Sequence, residues 1–203
     1  VGLIAVLDYG IGNLRSAEKA LQKAGAEARL VTSAAEAAGA AGVVLPGVGA
    51  FGRCMEALRG SGLDRVALDA IEAGTPFLGI CIGMQMLYAG SDENPEVSGL
   101  GVFGSKVRLL PDGVKRPQMQ WNVLDQVRPS PLLDGLPSPT WVYFVHSYSA
   151  EPTEDVVATC DYGTSVVAAV ERDNVWATQF HPEKSGPAGL ALLGNFVRRC
   201  QVG

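Results

Sequence analysis

The sequence predicts an α/β fold: a doubly wound, mostly parallel sheet with helices on both faces and an antiparallel C-terminal extension. Two observations carry this. In the first half, short and nearly continuous apolar runs alternate with amphipathic helical patterns, as expected of strands covered on both faces and joined by helices. After Gly90 the texture changes to short segments punctuated by Pro and Gly, ending in a hairpin pattern and one last helix.

Leu3 to Leu7 is the first apolar run, and a Gly-rich loop, Asp8-Tyr9-Gly10-Ile11-Gly12-Asn13, follows it. The next segment places Leu14, Ala17, Leu21 and Ala24 on one helical face and stops at Gly25. Ala28 to Val31 reads as a second strand, and Ser33 caps an alanine-rich helix expected to reach Ala41. Gly42 to Leu45 is a third strand, running into Pro46-Gly47-Val48-Gly49-Ala50-Phe51. Cys54 to Leu58 and Leu63 to Ala73 read as helices, and Phe77 to Ile80 as the fourth strand. Beyond Gly90, strands are expected at Val102–Leu110, Trp121–Val127, Val142–Ser147 and Val156–Cys160, with Pro129–Pro139 a surface loop. Arg172-Asp173-Asn174 joins Val166–Glu171 to Val175–Phe180 as a hairpin. In the final helix, Pro187 to Arg199, Leu190, Leu193 and Val197 share a face, and Arg198 and Arg199 suit its carboxyl end. No repeat or linker interrupts the chain, so a single domain over 1–203 is expected.

At 203 residues, 47% hydrophobic and 18% charged, the composition is that of a folded chain with a sizeable core. A formal net charge of -5 supplies no basic patch for phosphate backbones, which argues against a nucleic-acid partner. No apolar run reaches the length of a membrane span, and Val1 to Leu7 lacks the basic start of a signal peptide. Cys54, Cys81, Cys160 and Cys200 form no C-x-x-C pair and no metal-like spacing. Free thiols in a reducing cytoplasm, with no metal and no membrane, are the expectation. His146 and His181 are the two histidines.

The chemistry centres on Thr75-Pro76-Phe77-Leu78-Gly79-Ile80-Cys81-Ile82-Gly83-Met84-Gln85, a buried strand that runs into a cysteine and leaves it as a helix. Gly79 and Gly83 flank Cys81 in the layout of a nucleophile elbow, where crowding excludes side chains. The free N–H groups opening the helix favour negative charge on the sulfur. Read alone, the pentapeptide fits a buried structural cysteine equally well. Gln179-Phe180-His181-Pro182-Glu183 then offers a base and an orienter: His181 at a strand end, with Glu183 near enough to hold its other ring nitrogen. A developing oxyanion needs donors, and the N–H groups of Val48, between Gly47 and Gly49, and of Ile82 are the candidates. An ordinary strand-to-helix turn explains the same glycines.

Gly79-Ile80-Cys81-Ile82-Gly83-Met84-Gln85 with His181-Pro182-Glu183 resembles the class I (triad) glutamine amidotransferases, a flavodoxin-like group. Asp8-Tyr9-Gly10-Ile11-Gly12-Asn13-Leu14, Pro46 to Phe51, Tyr143-Phe144-Val145-His146-Ser147-Tyr148 and His181 to Ser185 narrow the likeness to the glutaminase subunits of imidazole glycerol phosphate synthases. The resemblance runs from about Leu3 to the last helix. It implies that Cys81 attacks the side-chain amide of L-glutamine, that His181 and Glu183 complete the triad, and that no cofactor is needed. It implies ammonia transfer to a (β/α)₈-barrel cyclase subunit in a cytoplasmic heterodimer of histidine biosynthesis.

The resemblance further implies glutamine contacts at Gly47, Gly49, Gln85, Glu93, Ser147 and Tyr148, and partner or coupling positions at Asn13, Trp121, Tyr143 and Lys184. Asn13 is expected to hydrogen-bond the Pro46–Gly49 loop, and His146 to be a satisfied histidine near the interface. One departure stands out: where that group has His-Met-Gly-Trp-Asn, this chain has Gln118-Met119-Gln120-Trp121-Asn122, so Gln120 is expected to alter how this segment meets the cyclase. The competing readings are a glutaminase of another triad amidotransferase, or a subunit that keeps the fold and has lost activity.

Overall fold

A computed structural model describes residues 2–201; Val1, Val202 and Gly203 lie outside the described residues. The first half alternates as its apolar runs predict: β1 (Leu3–Leu7), α1 (Leu14–Lys23), β2 (Glu27–Val31), α2 (Ala34–Ala37), β3 (Gly42–Gly47), α3 (Phe51–Gly60), α4 (Leu63–Glu72), β4 (Phe77–Cys81) and α5 (Ile82–Met86). Then come β5 (Tyr88–Ser91), β6 (Phe103–Leu109), β7 (Gln118–Val123), β8 (Asp125–Gln126), β9 (Trp141–His146) and β10 (Tyr148–Ala150). The chain closes with β11 (Val156–Asp161), β12 (Ser165–Arg172), β13 (Val175–Thr178), a 3₁₀ turn at Pro182–Lys184 and α6 (Gly186–Arg199).

The main sheet has the order β2-β1-β3-β4-β13-β12-β11-β8. Its strands are parallel from β2 to β13, and β12, β11 and β8 continue it in antiparallel fashion. Right-handed crossovers that run in opposite directions from β1 and from β3 put helices on both faces. On one side α1 packs on α6, and on the other α3 packs on α4 and α5. Every residue of β3 and of β4 is buried, which is why both read as unbroken apolar runs. Each large apolar side chain in that core contributes about 1.5–3 kcal/mol. No described helix is long and apolar enough to cross a membrane.

Three departures from the sequence-based expectation have physical causes. The helix expected over Ser33–Ala41 is a single turn. Ser33 does cap it, accepting from the Glu36 N–H at 3.4 Å, but Ala37 is the one residue of the turn that is buried, and helix propensity without packing does not sustain length. Helix α3 starts three residues before Cys54 because Glu93 and Asn94, distant in sequence, accept the Phe51 and Gly52 N–H groups at 2.8 Å each. The strand expected over Trp121–Val127 is instead two, β7 starting three residues earlier, its pattern masked by Gln118 and Gln120, and β8 pairing in the main sheet, and the short strands β5 and β10 have no counterpart in the sequence reading. The expected hairpin is present with Arg172 paired to Val175, which leaves Asp173 and Asn174 as its turn and Asp173 at φ 52°.

Candidate active site

The parallel pairing builds the site. Gly47 lies opposite Cys81 across β3 and β4, and Thr178 lies opposite Ile80 across β4 and β13. Three carboxyl ends are therefore neighbours: the Pro46–Gly49 loop, the Cys81 elbow and the His181 segment. Open α/β sheets bind ligands at this edge.

Cys81 sits at φ 56°, ψ −110°, a conformation that costs a residue with a side chain about 1–3 kcal/mol. Packing holds it there. A Cβ on Gly83 would overlap the Leu45 carbonyl oxygen of β3, and one on Gly79 would come within 3.0 Å of the Gly83 oxygen. Helix α5 is only five residues long, so its dipole is small, and any help to the sulfur comes from nearby N–H groups. The sulfur itself is almost fully buried, with Cys81 3% exposed.

His181 is placed by its backbone. Its N–H donates to the Tyr143 carbonyl at 3.0 Å, and the Ser185 hydroxyl donates to its carbonyl at 2.7 Å. Its Nδ1 lies 2.7 Å from Glu183 Oε1, with both side chains nearly solvent-free. A carboxylate there requires the proton on Nδ1 and leaves Nε2 as the working nitrogen. That nitrogen is buried with no hydrogen-bond partner, and so is Glu183 Oε2. Burial opposes the imidazolium, but the charge of the nearby Cys81 sulfur and the hydrogen-bonded Glu183 carboxylate outweigh it, and the His181 pKa rises to about 10.

A cavity of about 450 Å³ opens over these groups. Cys81, Ile82 and His181 line it together with Val48 and Gly49 from the β3 loop and with Gln85, Glu93, Ser147 and Tyr148. Asn13 and Lys184 also line it. Gly47 does not: it is packed into the elbow, where a Cβ would meet Gly83 N, Ile82 and the Tyr9 hydroxyl at 2.9 Å. Its requirement for glycine is steric. Trp121 and Tyr143 stand on the neighbouring β7–β9 ribbon, paired in register and with their rings edge to face at 6.0 Å.

The expectation for Asn13 is corrected. The Asn13 side chain accepts from the Ser16 hydroxyl at 2.7 Å, a contact within its own helix turn and not with the Pro46–Gly49 loop. That loop is held from elsewhere: Tyr9 donates to the Pro46 carbonyl at 2.7 Å and the Cys54 thiol to the Val48 carbonyl at 3.3 Å. Burial, then the neighbouring Cys54, pushes the Tyr9 phenol well above its usual range, and burial raises Cys54. Gln120 pairs with Phe144, so strand alternation turns it to the opposite side of β7 from Met119 and Trp121.

Gln85 lines the cavity as expected but is 1% exposed and engaged: its Nε2 donates to the Tyr148 carbonyl and to Gln179 Oε1, each at 3.0 Å. Glu93 uses one oxygen to cap α3. His146 is buried with Nδ1 2.8 Å from the Tyr148 carbonyl and Nε2 2.9 Å from Gln118 Oε1, and as a neutral ring it donates from one of these nitrogens only. The reading from sequence missed Gln179, whose Nε2 lies 3.7 Å from the Cys81 sulfur. The available signal was its place two residues before His181.

A strained cysteine at a strand-to-helix elbow, a buried histidine–carboxylate pair beside it and a cavity above both are the parts of a cysteine-based amide-cleaving site on an α/β sheet. The family model "Glutamine amidotransferase class-I" matches residues 5–200, and the chain belongs to that family. Its relatives include "Imidazole glycerol phosphate synthase subunit HisH" of Methanothermobacter thermautotrophicus, 53% identical over 96% of this chain and 98% of that one. The protein of that name from Desulfitobacterium hafniense is 48% identical over 96% of this chain and 93% of that one. Among solved structures, a glutamine amidotransferase aligns with a TM-score of 0.78 at 23% identity, covering 98% of this chain and 100% of that one. PurLQS of Thermotoga maritima gives 0.76 at 20% identity over 99% and 97%. At those identities the likeness is one of fold.

Proposed function

We propose that this chain is the glutaminase subunit of an imidazole glycerol phosphate synthase, a single domain over residues 1–203 that acts in the cytoplasm as one half of a heterodimer. The observation that carries the reading is the His181–Glu183 pair beside Cys81 in a chain about half identical, over nearly its whole length, to proteins of that name.

In the proposed reaction the Cys81 proton already resides on His181 Nε2, and the resulting thiolate attacks the side-chain carbonyl carbon of glutamine. The carbonyl oxygen becomes an oxyanion that the Val48 and Ile82 N–H groups stabilise. Collapse expels ammonia, which takes the proton from His181. Water, deprotonated by His181, then cleaves the Cys81 thioester to glutamate. Glu183 keeps the ring in the tautomer this needs. The second oxygen of Glu93 offers an acceptor to the amino end of glutamine, and Gly49, Gln85, Ser147 and Tyr148 shape the wall around it. Ammonia passes to a (β/α)₈-barrel cyclase docked on the face carrying Trp121, Tyr143, Lys184 and Asn13.

Co-purification with a candidate cyclase, followed by assays with glutamine and with free ammonia, tests the reading. Cys81→Ala is expected to abolish the glutamine-dependent reaction and leave the ammonia-dependent one unchanged. Full glutamine-dependent turnover in that variant refutes the nucleophile. Stable association with the synthase of another pathway instead places the chain elsewhere in the family.

A further inference from the structure

Gln179 has no part in the triad or the oxyanion site, yet it is completely buried and touches the nucleophile. We propose that Gln179 is a positioning residue that holds an N–H donor against the Cys81 sulfur, and that a chain of amides running from the Tyr148 carbonyl fixes the polarity of that contact.

A side-chain amide has nearly the same shape at both ends, so which end faces the sulfur is decided by its partners. Here the partners leave one solution. The Tyr148 carbonyl oxygen only accepts, and Gln85 meets it at 3.0 Å, so Gln85 presents Nε2. That same Nε2 lies 3.0 Å from the Gln179 amide, and a nitrogen that only donates requires an acceptor there, so Gln179 presents Oε1. Its Nε2 is then the end left to face Cys81 Sγ at 3.7 Å. Reversing Gln179 would set donor against donor at one end and an oxygen against the sulfur at the other. With Gln85 1% exposed and Gln179 0%, no water is at hand to absorb such a mismatch.

A donor held against sulfur favours its negatively charged form, and an oxygen in the same place disfavours it. The backbone supports the placement: the Gln179 N–H is bonded to the Ala168 carbonyl, so one stretch of chain delivers both this donor and His181 to the nucleophile. The other ionisable groups around Cys81 are His181 with Glu183 behind it, Cys54 of α3, Tyr9 after β1, and Glu93, His146, Tyr148 and Lys184 on the cavity wall. None of them hydrogen-bonds the Gln179 side chain, whose partners are Gln85 and Cys81. Because the chain starts at Tyr148, a residue that lines the cavity, it also joins the cavity wall to the Cys81 sulfur.

The experiment compares Gln179→Glu and Gln179→Met with wild type. Gln179→Glu keeps the shape and the acceptor for Gln85 but replaces the donor facing sulfur with oxygen; Gln179→Met keeps bulk alone. Alkylation of Cys81 by iodoacetamide is followed between pH 5 and pH 10 by peptide mass spectrometry, with thermal melting as the control for folding. Gln179→Glu is expected to move the pH profile up by about one unit, roughly tenfold slower alkylation at neutral pH, and Gln179→Met to move it the same way by less. In the complex with cyclase, the kcat of Gln179→Glu should fall about tenfold while KM stays within about threefold.

A Gln179→Glu profile that overlays the wild type overturns the proposal, as does one in which only Gln179→Met is slowed, at all pH values, since the residue would then merely fill space. The turnover part rests on the glutaminase reading, but alkylation needs no glutamine. A shifted profile in a protein without glutaminase activity defeats that reading and leaves this one standing; turnover with an unshifted profile does the reverse.

Discussion

Glu183 acts on the site through one contact. Its Oε1 is 2.7 Å from His181 Nδ1, in a place where each side chain is almost wholly removed from water. Glu183→Gln keeps the shape but can present an N–H donor to Nδ1, which draws the ring into the wrong tautomer. Glutamine-dependent kcat is expected to drop by about 10²- to 10⁴-fold with little change in KM, and steady-state kinetics of the complex checks this. His146 behaves in the opposite sense. Burial, with a smaller push from His181, lowers its pKa from 6.5 to about 4 despite the Tyr148 carbonyl hydrogen bond. Between those two values the unfolded chain binds a proton that the folded chain refuses, so stability falls as pH falls, by up to roughly 3 kcal/mol. Urea midpoints at pH 7 and pH 4.5 should differ more in wild type than in His146→Gln. Equal pH dependence in the two would mean that His146 does not set the slope.

The elbow shows what an element requires beyond its own residues. Gly79 and Gly83 are visible in the sequence as a spacing, but the reason for Gly83 is a β3 carbonyl that lies where a Cβ would go. Gly83→Ala is therefore expected to cost about 3 kcal/mol or more, and to shift α5 and Cys81 with it. A denaturation midpoint within error of wild type would contradict the packing. Helix α3 makes the same point differently. No local residue caps it, and its first N–H groups are taken by Glu93 and Asn94, some forty residues on. Sequence signals for helix ends are local, so the start of α3 was misplaced where that of α2, capped by its own Ser33, was not.

On the scale of the molecule, the β7–β9 ribbon presents Met119, Trp121 and Trp141 at 62%, 48% and 50% exposure on one face, with Val145 of that face reaching the cavity rim. Large apolar groups left in water beside a site mark a docking surface, and central aromatic residues there carry much of the binding energy. Trp121→Ala is expected to weaken association with the cyclase by about tenfold or more while the melting temperature of the free chain moves little. Titration calorimetry or co-sedimentation measures the first, and unchanged affinity would place the interface elsewhere.

The strained Cys81 elbow, the His181–Glu183 pair, the parallel first half and the antiparallel extension were all legible in the sequence, because each rests on a local pattern: apolar period, glycine spacing, or a short run such as His181-Pro182-Glu183. The chain order alone does not say that β13 returns to lie beside β4, and that pairing is what brings His181 to Cys81 across one hundred residues of sequence. The supports of the site are also tertiary. Tyr9 under the Pro46 carbonyl, Glu93 at the start of α3, and the Tyr148–Gln85–Gln179 chain are contacts between segments far apart in sequence. Buried polar groups must find partners wherever the packed fold supplies them, and no local pattern records which partner that will be.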